Sequence, residues 1–538
     1  MAKMQTINHS KKSLPSKVVS FEYAASLVND QDVLTVSASS GLNCPDKMLQ
    51  ALGDRFRNSG SPKDLTTIHP IAAGDLYGVD GIDHLAQPGL LKAVIAGSYP
   101  SGPSSKPMPK IWQMIVDNLI PAYNLPSGVL FDMHRDAATG KPGVLTQVGM
   151  DTFVDPLQEG GAMNAKAKDL PVVSRVNFQG EDWLHFHGIK PTVAIIRATS
   201  ADENGNLSFE HEGGTLGALD QALAVGNLGG IVIAQVKRVV ANASLNPQQV
   251  QVPSNLVDYI VVDENQKQTT QTDYNPAISG LTRLPENQLD RLPLNLDKVI
   301  ARRAARELKA GQTANLGFGI SANVPRVLLE NHQQHKVTWA IEQGAVGGVP
   351  MLGFQFGCAA NPSAIIRSSD QFVYFQGGGF DQTFLSFLQI DQFGNVNVSR
   401  LSARPYLTAG CGGFVDIVHN AKRIVFSGYF TAGAKFQMNE SGIGIQQEGK
   451  VNKLVKQVEQ ITFNGQRALK RGQQVIYVTE RCVMELTTEG LMVTEVAPGV
   501  NLERDILAKA DFPLLVSNTL KEMPKSMYGE VDFWELPK

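Results

Sequence analysis

Short apolar runs alternate with amphipathic segments along most of the chain. Ser20 precedes Phe21, Tyr23, Ala24, Leu27 and Val28, whose spacing predicts a capped helix with one apolar face. Val33-Leu34-Thr35-Val36 reads as a strand. A small-residue loop from Ser37 to Pro45 follows, then a helix containing Met48 and Leu49. The same order returns near the middle. Asp297 to Ala310 reads as a helix stopped at Gly311. Asn315-Leu316, a Gly317-Phe318-Gly319 loop and a helix with Val327, Leu328 and Leu329 come next.

The two passages match at a shift of 280 residues, with Asn43 on Asn323, Pro45 on Pro325 and Leu49 on Leu329. Asp202-Glu203-Asn204-Gly205-Asn206-Leu207 resembles Asp391-Gln392-Phe393-Gly394-Asn395-Val396 at a shift of 189. Gly217-Ala218-Leu219-Asp220 resembles Gly413-Phe414-Val415-Asp416 at a shift of 196. The order is kept and the spacing shrinks in the later copy, which reads as a duplicated domain whose first copy carries insertions. Buried-type strands (Val193 to Ile196, Gly230 to Ile233, Arg423 to Phe426) among helical segments predict two related α/β domains with largely parallel sheets and the active site between them. The expected division is a first domain over 1–262, a linker over 263–293 and a second domain over 294–538. Gln266 to Thr272 has no apolar period, which motivates the linker.

The stretch Trp339-Ala340-Ile341-Glu342-Gln343-Gly344-Ala345-Val346-Gly347-Gly348 places one carboxylate between a buried strand and a glycine-rich turn. Setting Ile68 on Ile341 and Gly74 on Gly347 puts His69 opposite Glu342, so the acid belongs to one copy only. Thr408-Ala409-Gly410-Cys411-Gly412-Gly413-Phe414-Val415-Asp416 holds three glycines ahead of a helix. It reads either as a set of backbone N–H groups for an anion or as a tight strand-to-helix connection. Phe375-Gln376-Gly377-Gly378-Gly379-Phe380 reads first as a turn. Gly317-Phe318-Gly319 lacks the third glycine of a dinucleotide loop. Cys358 and Cys411 lie near glycines without a local base and read as buried structural residues. His185 and His187 alternate as on an edge strand, with no third metal ligand in view.

At 538 residues the chain needs more than one core. Its net charge of -3 gives no reason to expect nucleic acid as a partner, and no run of some 18 apolar residues points to a membrane span. The first 20 residues lack the apolar run of a secretory signal. Four scattered cysteines without a Cys-x-x-Cys pair argue against structural zinc and for a reducing, cytoplasmic setting.

Taken together, Asn315-Leu316-Gly317-Phe318-Gly319-Ile320, the Glu342-x-Gly-x-x-Gly-Gly segment, Gly410 to Asp416 and Val496-Ala497-Pro498-Gly499-Val500 resemble the family I CoA-transferases. The similarity is to the acetate/propionate type, two related domains fused in one polypeptide, with succinyl-CoA:3-ketoacid CoA-transferase among the relatives. The resemblance runs from about Ser20 to Asp511. It implies an alpha-subunit-like first domain and a beta-subunit-like second domain carrying the catalytic glutamate. It also implies CoA transfer from a short-chain acyl-CoA to a carboxylate such as acetate, through a glutamyl-CoA thioester on Glu342. Gly410, Gly412, Gly413, Phe414, Gly344, Gly347 and Gly348 become candidate oxyanion and CoA contacts. Ala73, Gly74 and Ser127 become a first-lobe site loop. The resemblance implies a homo-oligomer, dimer or tetramer. Coenzyme A enters as substrate and covalent intermediate, with no permanently bound cofactor and no metal. An acyl-CoA hydrolase or a non-catalytic CoA-binding protein would use the same scaffold.

Two departures stand out. Some members, the succinyl type among them, carry Asn just ahead of the Ala-Gly that matches Ala73-Gly74, where this chain has Ile71-Ala72. Many carry Pro-Gln-Gly where this chain has Pro126-Ser127-Gly128. They bear on the first-lobe oxyanion donor and on acceptor preference rather than on the glutamate.

Overall fold

The structure is a computed structural model that describes residues 16–100, 108–405 and 408–538. Most of the leader reading of the first 20 residues therefore lies outside the described residues. Ser20 caps α1 (Phe21–Ser26) by accepting the Tyr23 N–H, as its position predicts. The first lobe is built on β1 (Val33–Val36), β2 (Leu65–His69), β3 (Leu91–Ala96), β4 (Ala122–Asn124), β5 (Val193–Asp202), β6 (Ile231–Val240) and β7 (Tyr259–Val262). These run parallel in the order β7-β6-β5-β1-β2-β3-β4 within a nine-stranded sheet. The second lobe is built on β8 (Thr313–Leu316), β9 (Thr338–Trp339), β10 (Gln382–Ser386), β11 (Arg423–Ser427) and β12 (Gln474–Val478), parallel in the order β9-β8-β10-β11-β12. Two antiparallel strands, β13 (Cys482–Thr487) and β14 (Gly490–Val496), extend it, and β15 (Leu515–Glu522) closes it.

The strand orders of the lobes coincide: β7-β6-β5-β1-β2 in the first and β12-β11-β10-β8-β9 in the second. The turn motif shows why the duplication left a trace in sequence. Asp202 ends β5 and accepts the N–H groups of Asn204 and Asn206 and the Asn206 amide. Asp391 accepts the N–H groups of Phe393 and Asn395 and the Asn395 amide in the same way. Gly205 (φ +98°) and Gly394 (φ +72°) take the left-handed position that each turn requires. The first copy carries additions between β2 and β5: strands β3 and β4, and a small sheet in the order Gly143–Thr146, Glu181–His187, Val173–Phe178. His185 and His187 lie on the central strand of that sheet, not on an edge.

α2 (Asp46–Ser59) follows the β1 loop as expected. Two more first-lobe helices matter below, α3 (Ser127–Ala138) and α4 (Ala218–Asn227). The helix expected over 297–310 is shorter: α5 spans Leu296–Ala305. Beyond Arg303 the backbone tightens into three-residue closures, Arg306 N–H on Arg303 O and Glu307 N–H on Ala304 O, before Gly311 (φ +86°) leads into β8. The second lobe adds α6 (Val324–Glu330), α7 (Ser368–Gln376) and α8 (Phe414–Asn420).

One apolar core runs through both lobes, joining Phe131 and Leu130 of α3 to Phe372, Phe375 and Val415. The Phe131 and Phe372 rings lie 5.7 Å apart, a pairing worth about 1 kcal/mol beyond area burial. The 263–293 stretch is held by polar bonds as well as by Ile278 and Leu289, which are buried in small apolar clusters. Gln266 Nε2 donates to Ala198 O and Gln268 Nε2 to His211 O, and Leu284 N–H donates to Asn361 of the second lobe.

The second lobe also buries a charge network. Arg481 is fully buried between the Phe430 and Phe436 rings and donates to Glu448 (2.6 Å and 2.9 Å) and Glu480 (3.1 Å). The Arg481 hydrogen bonds draw the Glu448 carboxyl down to about 2. That stabilisation is fully present above the unfolded glutamate value of about 4.5 and is lost as pH falls through about 2. Arg481→Met strands Glu480 as a lone buried carboxylate. It is expected to cost about 3–5 kcal/mol in denaturant unfolding at pH 7; a loss under 1 kcal/mol contradicts this account of the network.

Candidate active site

Glu342 stands just beyond β9. Asn315 on the neighbouring β8 fixes the chain there: its Nδ2 donates to Ala340 O (2.9 Å), and its Oδ1 accepts Thr383 Oγ1–H (2.9 Å). Trp339, Ala340 and Ile341 are buried, so the carboxylate emerges from a fixed apolar stem. The turn then closes on itself. Gly344 N–H donates to Ile341 O (2.8 Å), Ile341 N–H to Ala345 O (2.9 Å) and Gly347 N–H to Trp339 O (2.7 Å). Gly344, Gly347 and Gly348 have φ of +112°, +71° and +70°, and a Cβ at Gly344 or Gly348 would collide with the carbonyls of Ile366 or Ala360. These glycines shape the turn, and the N–H groups of Gly344 and Gly347 are consumed inside it. Those two N–H groups are therefore not free to serve as oxyanion donors.

Strand register also corrects the alignment of the copies. Thr35 of β1 pairs with Ile68, and Asn315, its counterpart on β8, meets Ala340. Pro70 therefore stands opposite Glu342, and His69 stands opposite Ile341. The carboxylate still has no counterpart in the first lobe. His69 is buried beside Tyr99, and desolvation pulls its pKa down to about 4.

Two groups meet the Glu342 carboxyl. Gln343 Nε2 donates to Oε1 at 3.0 Å and reaches Ser39 Oγ of the first lobe at 3.1 Å. The Gly413 backbone packs against the carboxylate, with its N–H helping to hold the Glu342 charge. A Cβ at Gly413 would collide with Oε2 and with the Phe372 ring, although φ is an ordinary -84°. Glycine is required at 413 by this close approach and not by backbone conformation. Burial raises the Glu342 pKa to about 7 against the pull of the Gln343 and Gly413 donors, while the residue keeps partial access to solvent. Phe414 contributes differently from the expectation. Its N–H is spent on Cys411 O (2.9 Å) and its ring stacks on Phe426.

The Gly410 to Gly413 loop is fastened to the first lobe. Gly412 N–H donates to Gly97 O (2.7 Å), Tyr99 N–H to Ala409 O (2.7 Å) and Ser127 N–H to Gly412 O (2.9 Å). Asn124 Oδ1 accepts the Cys411 N–H (2.8 Å), and its side chain fills the space above Gly410 (φ +94°). Ser127 spends its hydroxyl on Pro70 O (2.6 Å), tying the β2 end to α3. Ala73 and Gly74 pair with Ser40, next to the Ser39 that meets Gln343, and Gly74 N–H donates to Ser40 O (3.0 Å). The Ala73, Gly74 and Ser127 segments thus support the loops around Glu342.

Ser39, Gln343 and Asn124 carried no signal as site residues in the sequence. Asp416 stood out only as part of a repeat; it is buried, with a carboxyl that desolvation pushes up to about 7. Cys358, pushed by burial to about 12, and Cys411, also raised by burial, are thiols rather than thiolates. The run from Phe375 to Phe380 is the end of α7 and a turn. Among the described residues no group of His, Cys, Asp and Glu is arranged to hold a metal, and no helix is long and apolar enough to cross a membrane.

Comparison with known proteins decides the family. The family model described as Coenzyme A transferase matches residues 18–263. The chain is 38% identical over 514 residues to the acetate CoA-transferase YdiF of Escherichia coli K12, covering 95% of each chain. The chain belongs to the CoA-transferase family. It is 37% identical over 521 residues to the caffeate CoA-transferase of Acetobacterium woodii, covering 96% of this chain and 98% of that protein. The crystal structure of the YdiF apoenzyme from E. coli O157:H7 superposes with a TM-score of 0.89 at 36% identity, covering 97% of this chain and 98% of that one. A second YdiF structure, described as a thioester complex with CoA, superposes at 0.88. This CoA-transferase is thus an enzyme with a two-sheet α/β architecture shared by solved relatives.

Proposed function

We propose that the enzyme moves CoA from a short-chain acyl-CoA to a carboxylate acceptor such as acetate, with Glu342 as the covalent carrier. The observation that carries this reading is the Glu342 carboxyl just beyond β9, held by Gln343 Nε2 and packed against the Gly413 backbone. One Glu342 oxygen attacks the thioester carbonyl, and the C–S bond breaks to release CoA thiolate and leave a mixed anhydride. The thiolate attacks the glutamyl carbonyl, which expels the donor carboxylate and leaves a glutamyl-CoA thioester. An acceptor carboxylate attacks that thioester to form the second anhydride. The thiolate then takes the new acyl group and restores Glu342. Bonds made and broken are of the same kinds throughout, so no ATP is needed.

A carboxylate is a weak nucleophile in water, and a dry setting strengthens it. The Gly413 N–H is the donor available to an oxyanion forming at Glu342, and one such donor is typically worth about 3 kcal/mol. CoA enters as substrate and covalent intermediate. Support for the thioester comes from the YdiF structure described as a thioester complex with CoA. Support for acetate comes from the YdiF relative, while the caffeate enzyme makes an aromatic acid the informative second acceptor. The first-domain boundary near 262 is supported by the end of the family match at 263. We read the assembly as a homo-oligomer, dimer or tetramer, which light scattering of the purified protein tests. Four buried free cysteines support a reducing, cytoplasmic setting.

Initial rates with acetyl-CoA and propionate are expected to give parallel double-reciprocal lines, with little CoA released when no acceptor is present. CoA release independent of acceptor would mark a hydrolase instead. Only ionised Glu342 attacks, so kcat/KM for acetyl-CoA is expected to fall about tenfold per pH unit below about 7. A flat profile from pH 5 to 8 contradicts the raised carboxyl.

A further inference from the structure

The two lobes are latched by a pair of buried aspartates related by the internal duplication. Asp220 lies three residues after Gly217, where α4 begins, and Asp416 three residues after Gly413, where α8 begins. Asp220 accepts Arg135 Nε of α3 (3.1 Å) and the hydroxyl of Ser369, the second residue of α7. Asp416 accepts Gln376 Nε2 of α7 (3.0 Å) and the backbone N–H of Gly128, the second residue of α3 (2.9 Å). Each aspartate thus binds its own lobe's long helix near the end and the other lobe's helix at the start. Both first-turn donors of α3 that face the second lobe are satisfied this way, Ser127 N–H by Gly412 O and Gly128 N–H by Asp416. A Cβ at Gly128 would collide with the Asp416 carboxyl, so glycine there permits the approach.

The latches differ in what stands at the helix start. A Cβ at either glycine would collide with an aromatic ring, Phe131 at Gly217 and Phe372 at Gly413, but only that at Gly413 would also collide with Glu342. They differ in charge as well. Asp220 is paired with Arg135 and lies 3.8 Å from Arg367, while the two hydrogen-bond donors to Asp416 are both neutral. Asp416 is therefore coupled to the Glu342 loop in a way that its counterpart is not.

We propose that Asp416 is a positioning residue, which pins the first turn of α8 to the first lobe so that the Gly413 N–H faces the Glu342 carboxylate. It touches neither substrate nor reacting atoms. The inference rests on Glu342 being the acyl carrier. Misplacing a donor by about 1 Å commonly costs about 10²-fold in rate.

The test compares Asp416→Asn with Asp220→Asn in the full-length enzyme, by thermal melts and by kcat and KM for acetyl-CoA. Wild-type enzyme is treated with acetyl-CoA and hydroxylamine and its label mapped in parallel. Asp220→Asn loses its ion pair to Arg135 and is expected to melt lower, and the melt of Asp416→Asn shows that this variant is folded. Only Asp416→Asn is expected to lose kcat, by about 10- to 100-fold, with KM within about twofold of wild type. If Asp416→Asn does not fold, Gln376→Leu removes one of its donors and is expected to lower kcat several-fold at unchanged KM. Wild-type kcat in whichever of these variants folds, or an equal kcat loss in Asp220→Asn, overturns the inference while a label on Glu342 leaves the carrier in place. A wild-type label away from Glu342 overturns both.

Discussion

Glu342→Gln is expected to lower CoA exchange by at least about 10⁴-fold while leaving the fold intact. The replacement keeps shape and can still accept from Gln343, but an amide forms no anhydride with an acyl group. The same variant reports on the electrostatics of the site. The folded carboxyl sits at about 7 against an ordinary value of 4.5, because burial disfavours its charge. Between those values the unfolded chain has released the proton and the folded chain still holds it, so wild-type stability falls as pH rises through that window. The variant lacks this loss. It is expected to melt above wild type at pH 8 and to gain nothing at pH 4. A variant that turns over near the wild-type rate contradicts the assignment of the carrier, and one that melts below wild type at pH 8 contradicts the raised carboxyl.

The second large effect is expected at Gly413→Ala. The backbone at 413 has φ -84° and ψ -1°, which alanine adopts freely, so the helix start survives. The added methyl collides with Glu342 Oε2 and the Phe372 ring. The carboxylate is displaced, and the buried Phe372 ring must also shift, which overpacks the shared core. Loss of about 10²-fold in kcat is expected, together with a stability loss of about 1–3 kcal/mol from overpacking Phe372 that leaves the enzyme folded. Steady-state kinetics beside a thermal melt separates this from unfolding, and unchanged kcat would show that the close approach has no catalytic consequence.

The parts of the molecule legible in the sequence are those whose physics is local. Parallel strands buried on both faces need unbroken apolar runs such as Val193 to Ile196. The Asp202 and Asp391 turns need an aspartate, a glycine and an asparagine at fixed spacing, so both copies kept them and the duplication could be read. Glu342 was legible as a lone acid between an apolar strand and a glycine turn. The glycines around it were ambiguous, because a turn that closes on itself and a cradle for a ligand both call for positive φ; the Gly344 and Gly347 hydrogen bonds decide for the turn. The one-residue error opposite Glu342 has a related cause. Matching residue types past a strand end ignores how the chain turns there, and only the β1–β2 and β8–β9 registers fix it.

Residues that act across the lobes left no local trace. Asn124 meets Cys411, Ser39 meets Gln343 and Gly128 meets Asp416 over separations near 300 residues, where no periodicity or spacing connects the partners. Ser127 shows the reverse. The Pro126-Ser127-Gly128 segment stood out in the sequence, and its short hydroxyl bonds Pro70 O, tying α3 to the end of β2.

The most direct measurement is where an acyl or CoA group becomes attached. Purified enzyme is incubated with acetyl-CoA and no acceptor, treated with borohydride or hydroxylamine, digested and analysed by mass spectrometry. The modification is predicted on the peptide containing Glu342, at that side chain, and absent from the Glu342→Gln variant. Stoichiometric modification at any other residue, or an unmodified Glu342 in enzyme that exchanges CoA at full rate, would contradict it.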